Sequence, residues 1–356
     1  MNEEQVRDSV IMDGIDAQIV RAIQISPRMS FAQIGEVLEV AEQTVARRYR
    51  RLRREGLLRV TLAVDPRAMG STVWTVRVRC HPRDAGPIAN ALGWRDDVSW
   101  VSIHSAGWEV AFSLRAVTDS VTDELLTRLL PRTASVLDVS AAAIMHTFAG
   151  GASTDWQGCN GALTADQAAA VAATVIVESG SGTTYLTSED QILIEQLAHD
   201  GRTPYATLAR RVGSTPGKVT RRIDALLAAG IVYFDVDLAP AAIGRSVAAT
   251  LWLTVTPRHL RTAGEVLARH PDVPFAAAVT GSSNLTASLV GVGVEDFYGF
   301  ITTALAETDG ITGYELVLLT RRIKHSGALV AGDRLAPPAA ARRRRSADRS
   351  EQQADH

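Results

Sequence analysis

The chain has 356 residues, 46% hydrophobic and 21% charged, with a formal net charge of −2. That balance predicts a soluble globular protein of roughly two to four domains and excludes a globally basic nucleic-acid coat, while allowing a local basic patch. Two cysteines, Cys80 and Cys159, offer no disulfide framework, the N-terminus carries no apolar leader, and no run reaches the ~18 apolar residues of a membrane span; a cytoplasmic protein without membrane contact is expected.

In chain order, Ile15, Ile19, Ala22 and Ile23 form an apolar helical stripe behind Asp13 as N-cap. Ser30 to Gln33 reads as a capping box opening a second helix that buries Phe31, Ile34 and Leu38. After a break at 39–41, Val45, Tyr49 and Leu52 stand at i, i+4 and i+7 on a third helix, closed by Gly56. Ala41 leaves that helix without a good N-cap. Alternating Val60, Leu62 and Val64 predict a strand. Strands follow at 72–80, 98–105, 108–114 and 136–144, with helices at 85–92 and 120–129, a β-α-β-β-α-β rhythm of the ferredoxin-like kind. Residues 147–186 hold two glycine/serine-rich patches around a helical stretch at 164–175, which reads as a linker with a docking helix.

The whole pattern then recurs. Shifted by 174 positions, residues 16–70 lie on 190–244 without a gap and with eleven identities, among them Asp16/Asp190, Arg28/Arg202, Arg47-Arg48/Arg221-Arg222 and Gly56/Gly230. The second copy predicts strands at 246–255, 274–280, 285–292 and 313–320 and helices at 262–268 and 295–306. The expected fold class is α+β: two winged helix-turn-helix domains, each followed by a ferredoxin-like sandwich, in tandem repeat. Predicted domains are 1–60 and 61–146, a linker at 147–186, then 187–234 and 235–330. A disordered basic tail at 331–356 contains Arg342 to Arg345.

The third helix carries the chemistry. Between Arg47 and Arg59 there are seven arginines and one acid, Glu55. At 100° per residue, Gln43, Arg47, Arg50 and Arg54 oppose the apolar stripe, flanked by Thr44, Arg48 and Arg51. A basic helix of this size fits the roughly 12 Å major groove, and its guanidinium forks suit guanine edges or phosphates. A solvated charged face is the plainer alternative, and the duplication argues against it. In the second copy Lys218, Thr220, Arg221 and Arg222 are the corresponding candidates. Asp224, Ala225 and Ala228 replace three arginines there, so the first head is expected to bind DNA more strongly.

These residues resemble the Lrp/AsnC, or feast/famine, family of transcriptional regulators: Asp16…Ile34…Thr44-Val45-Ala46-Arg47-Arg48-Tyr49…Gly56-Leu57-Leu58 and Asp190…Leu208…Lys218-Val219-Thr220-Arg221-Arg222-Ile223…Gly230-Ile231-Val232. The resemblance covers roughly 13–146 and 187–325. It implies an operator-binding regulator whose sandwiches assemble and bind a small effector, often an amino acid, near the turn joining their central strands. The matching positions are Gly281, Ser282, Ser283 and Asn284, with Gly107 and Glu109 in the first copy; a hairpin's need for positive φ explains Gly281 and Asn284 equally well. Fusion implies that one chain is a pseudo-dimer, and the family implies further homo-oligomers.

Other chemistries find little support. The eight histidines show no HxxxH or HExxH spacing, so no metal is expected, and no cofactor. The Gly213…Gly217-Lys218-Val219 run lacks the Ser or Thr of a phosphate loop, and no GxSxG elbow occurs, so no catalytic residues are assigned. The same layout resembles sirohaem decarboxylases, an enzyme alternative that would call on His104, His146 and Arg321. A co-regulator or assembly module that does not bind DNA is the third reading.

Overall fold

The computed structural model of the chain describes residues 12–115, 119–151, 162–175, 185–239, 242, 244–332 and 334–336. The first head is three helices, α1 (Gly14–Ile25), α2 (Phe31–Leu38) and α3 (Glu42–Arg54). Asp13 and Ser30 cap α1 and α2 through reciprocal boxes, whereas Ala41 makes no side-chain cap to α3. Val45, Tyr49 and Leu52 are buried, as their spacing requires.

The first sandwich follows β1 (Leu58–Val64) with β2 (Trp74–Cys80), α4 (Pro82–Gly93), β3 (Val98–His104) and β4 (Glu109–Leu114). Then come α5 (Asp119–Asp123), a wide helical turn at Glu124–Leu129, α6 (Leu130–Arg132) and β5 (Val136–Ala149). After α7 (Ala165–Ala172), the second head comprises α8 (Ser188–His199), α9 (Tyr205–Arg211) and α10 (Pro216–Ala228). The second sandwich has β6 (Val232–Leu238), β7 (Val247–Val255), α11 (Leu260–Arg269), β8 (Phe275–Val279), β9 (Leu285–Gly291), α12 (Val294–Phe300) and β10 (Ile311–His325). A small hairpin, β11 (Ala328–Ala331) and β12 (Arg334–Leu335), ends the described chain.

The strand after each third helix pairs with its counterpart in the other copy rather than within its own. β1 pairs antiparallel with β6, Thr61 opposite Asp235. Those two residues occupy the same place in the repeat, so the ribbon's register is itself twofold. The fourth strand of each sandwich runs further than its apolar alternation predicted, five residues beyond 144 in β5 and five beyond 320 in β10. Their first parts pair at home, with β2 and β7; their later parts cross, β5 to β8 and β10 to β3. Crossing satisfies backbone groups that two separate sheets would leave open at their edges. Each sandwich keeps the ferredoxin-like order, β3-β4-β2-β5 and β8-β9-β7-β10, and the two crossings close them into one ring.

Packing also crosses between copies. The core of the first head takes in Val171 of α7 and Ala328 and Leu335 of the C-terminal hairpin, whereas the second head receives Leu62 and Val64 from β1. Thr164 caps α7, whose Gln167 Nε2 donates to the Val37 carbonyl at 3.2 Å. Gly56 closes α3 at φ +68°, and a Cβ there would run into the Leu335 carbonyl. Of the tail expected to be disordered from 331, Ala331, Arg334 and Leu335 instead belong to the β11–β12 hairpin, while residues 337–356, with Arg342 to Arg345, lie outside the described residues, as do Cys159 and most of the linker's two small-residue patches.

Candidate nucleic-acid interface and ligand positions

The arginines of α3 divide into two sets. Arg48 Nη1 donates to Asp13 Oδ2 at 2.6 Å and to Asp16 Oδ1 at 3.0 Å, and Arg51 pairs with Asp16 as well. Asp16 is fully buried, so these bonds fasten α3 to α1 rather than offering free cations. The Asp13 and Asp16 carboxylates in turn hold the Arg48 guanidinium above its ordinary range, outweighing its partial desolvation. Arg53 reaches Asp200 of the second head at 2.6 Å. Arg47, Arg50 and Arg54 remain outward, beside Gln43; Arg54 is 77% exposed, with Glu55 at 3.7 Å. Together with Asp13, Arg48 and Arg51 these three line a shallow cationic groove suited to a phosphate.

The second head repeats the division. Arg222 is clamped on buried Asp190 at 2.6 Å and on the Tyr185 carbonyl at 2.7 Å. Burial works to raise the Asp190 pKa, but hydrogen bonds from Arg222 and Thr187 hold it below the ordinary carboxylate value. Lys218 and Arg221 are exposed, while Thr220 spends its hydroxyl on the Pro216 carbonyl at 3.0 Å. Thr44 is half-buried. Arg48, Arg51 and Arg222 are each held by a buried carboxylate and so position the helix, while their guanidiniums stay partly exposed on its outer side. Sequence reasoning missed two cations, Arg210 and Arg211, exposed at the end of α9 just before the turn into α10.

The heads are locked to one another symmetrically. Arg28 donates to the carbonyls of Gly201 at 2.6 Å and Thr203 at 2.8 Å, its guanidinium 4.0 Å from the Tyr205 ring centroid. Arg202 donates to Pro27 and Met29, both at 2.6 Å, and lies over Phe31 at 4.6 Å. Each of these partners of Arg28 lies 174 positions from the corresponding partner of Arg202, so the repeat is the interface. The two recognition helices are thus fixed as a pair.

The hairpin positions are more committed than their sequence suggested. Glu109 is buried and bound to Arg77, Nε to Oε2, at 2.9 Å. Gly107 sits at φ +100° against Pro82, which a Cβ would approach to 3.2 Å. Asn284 accepts from the Val255 N–H at 2.8 Å and donates to its carbonyl at 2.7 Å, tying the turn to β7. These three serve the fold of their turns. Gly281, at φ +110° with open space around it, and the adjacent Ser282 and Ser283 leave the only open stretch among the predicted effector positions.

Inside the ring, beneath the β1–β6 ribbon, lies a cavity of about 280 Å³. None of His104, His146 and Arg321 lines it. His104 is buried beside Ser102, Oγ to Nε2 2.7 Å, and burial with nearby Arg77 pushes its pKa down to about 4; His146 and Arg321 are exposed. Arg115, Arg322 and His325 line the cavity instead. No cluster of three His, Cys, Asp or Glu side chains able to hold a metal occurs among the described residues. No described helix is long and apolar enough to cross a membrane.

The model of the AsnC-type helix-turn-helix domain matches this chain twice, at residues 12–53 and 186–227. An uncharacterised HTH-type transcriptional regulator of Pyrococcus abyssi is 26% identical over 132 residues, 37% of this chain and 84% of the relative. The HTH-type transcriptional regulator LrpA of Pyrococcus horikoshii is 24% identical over 136 residues, 38% of this chain and 96% of LrpA. Among solved structures, the siroheme decarboxylase NirDL matches 93% of this chain and 99% of its own with a TM-score of 0.62 at 15% identity, a likeness of fold. The chain thus carries two AsnC-type helix-turn-helix domains, each followed by an α+β sandwich, and its sequence relatives are HTH-type transcriptional regulators of the Lrp/AsnC kind.

Proposed function

We propose that the chain is a cytoplasmic DNA-binding transcriptional regulator of the Lrp/AsnC type, not an enzyme, whose operator affinity responds to a small effector. The observation that carries this reading is the pair of recognition helices, locked by Arg28 and Arg202, with Arg47, Arg50 and Arg54 outward on one and Lys218 and Arg221 outward on the other. Cations on paired helices match phosphates on successive half-sites, and a rigid head pair fixes the half-site spacing. An effector, an amino acid by class, is assigned to the open Gly281–Ser283 turn, where it would bind one arrangement of assembled chains better than another and so shift operator affinity. Fluorescence anisotropy on the chain's own promoter fragments tests the first part: affinity should fall steeply and linearly on a log–log plot against salt. A flat response, or no binding in dilute buffer, would favour a co-regulator that does not touch DNA.

The cavity supports a second, enzymatic reading, since it combines histidine and arginine in a chain whose fold matches a siroheme decarboxylase along nearly its full length. Its 280 Å³ falls at the lower edge of the roughly 300–1,000 Å³ typical of pockets for drug-sized ligands, which suits something smaller than a tetrapyrrole. A visible absorbance change on adding a tetrapyrrole to the purified protein would favour the enzyme.

A further inference from the structure

The cavity inside the ring has an electrostatic character that neither DNA binding nor the hairpin turns explain. Its wall is made by both copies: Ser113 and Arg115 at the end of β4, Tyr233 and Asp237 on β6, and Arg322 and His325 at the end of β10. Trp100, Trp252 and Phe275 supply flat apolar faces. Five cationic side chains line it against three carboxylates, and Arg67 already neutralises one of the latter, Asp65.

Hydrogen bonds fix the protonation of the wall. Arg322 Nη1 can only donate, so at 3.2 Å it makes His325 Nδ1 the acceptor. The proton of the neutral imidazole is then on Nε2, which faces Asp237 Oδ1 at 3.5 Å. Burial, then the nearby Arg322 charge, hold His325 neutral. Arg115 donates to the Tyr233 hydroxyl at 2.7 Å. Among the described residues neither Arg115 nor Arg322 makes a direct ion pair; Asp235 and Asp65 act on Arg115, and Asp237 on Arg322, only from beyond contact distance. Asp237, 3% exposed, leaves its Oδ2 with no hydrogen-bond partner in the same wall. Enclosed cations without a direct ion pair and an orphaned buried oxygen are costly unless a polar occupant meets them.

We propose that this cavity binds a compact aromatic carboxylate, its carboxylate on Arg322 and Arg115, its ring among Trp100, Trp252 and Phe275, and a polar ring substituent toward Asp237 Oδ2. Two enclosed guanidiniums select the anion, the aromatic walls select the ring, and the volume selects a single small ring system. The site is separate from the Gly281 turn and its occupancy does not rest on DNA binding. Arg21 and Gln24 of α1 also line the cavity, so its wall is drawn from the first head and both sandwiches.

The test is calorimetric titration of the full chain with 4-hydroxybenzoate, with 4-hydroxybenzamide as the uncharged isostere, followed in parallel by tryptophan emission. The carboxylate should bind and shift the emission; the amide should bind at least about 10-fold more weakly, as expected for losing charge-assisted bonds. R115Q and R322Q should each weaken the carboxylate by about 10-fold or more. The comparison of the two ligands on the unaltered chain stands even if R322Q does not fold. No binding of 4-hydroxybenzoate at millimolar concentration, equal binding of the amide, full affinity in R115Q, or its displacement by uroporphyrin would each overturn the proposal.

Discussion

The two heads share a fold and differ in what surrounds them. The first is embraced by α7 and by the β11–β12 hairpin from the far end of the chain, and its recognition helix begins uncapped and ends in a run of arginines. Among the described residues the core of the second draws on the first copy only through Leu62 and Val64 of β1, but its recognition helix is capped by Thr215 with Pro216 in the first turn. Duplication has kept the residues that hold the heads together while letting charge and support diverge. The identities that survive are mostly structural: Asp16/Asp190 and Arg48/Arg222 fasten the recognition helix within each head, and Arg28/Arg202 fasten head to head.

That comparison can be broken most severely at the buried carboxylates. Asp16 takes two arginines and Asp190 one, so Asp16→Ala should destabilise by about 3 kcal/mol and Asp190→Ala by less, measured by denaturant unfolding. Equal losses would mean that Arg51 contributes nothing. The Asp190 pKa is depressed in the folded state, so its contribution is present above the ordinary value of 3.8 and lost as pH falls through the lower folded value. A stability profile of Asp190→Asn should lack that acid limb.

Next in size is the lock between the heads. Arg28→Ala and Arg202→Ala each remove two charge-assisted bonds to carbonyls and a cation–π contact, and each should cost about 2–3 kcal/mol. Because their environments mirror one another, the two losses should agree within about 0.5 kcal/mol. A large disparity in unfolding free energy would show that the symmetry of the contacts does not extend to their strength. The smallest effect sharpens the contrast at the helix starts. Ala41→Ser should stabilise the first head by about 1 kcal/mol through a new N-cap, and Thr215→Ala should destabilise the second by a similar amount, read as shifts in thermal midpoint.

The local architecture was legible because it is written in short-range signals. Asp13, Ser30, the Val45–Tyr49–Leu52 stripe and Gly56 set helix starts, faces and stops within a few residues of themselves. What was not legible depends on partners far along the chain. Arg48 looks like its exposed neighbour Arg47 until Asp16, 32 residues away, is brought beneath it. The β1–β6 ribbon and the two strand crossings join residues of different copies, and a period-two pattern records a buried face but not which edge it meets. The cavity wall gathers Arg115, Tyr233 and Arg322 from three distant strands, none of which stands in a motif. One signal was available: a charged residue kept in both copies off the apolar stripe, such as Arg28 or Asp16, marks a contact that the repeat needs.

The central claim is that the recognition helices contact DNA through the outward arginines and unequally. Salt-dependent anisotropy titrations of the full chain, Arg47→Ala and Arg221→Ala on one promoter fragment test it most directly. The account predicts that each substitution weakens binding and flattens the salt slope by about 1, with the larger loss of affinity for Arg47→Ala. Unchanged affinity and slope in both variants would contradict it.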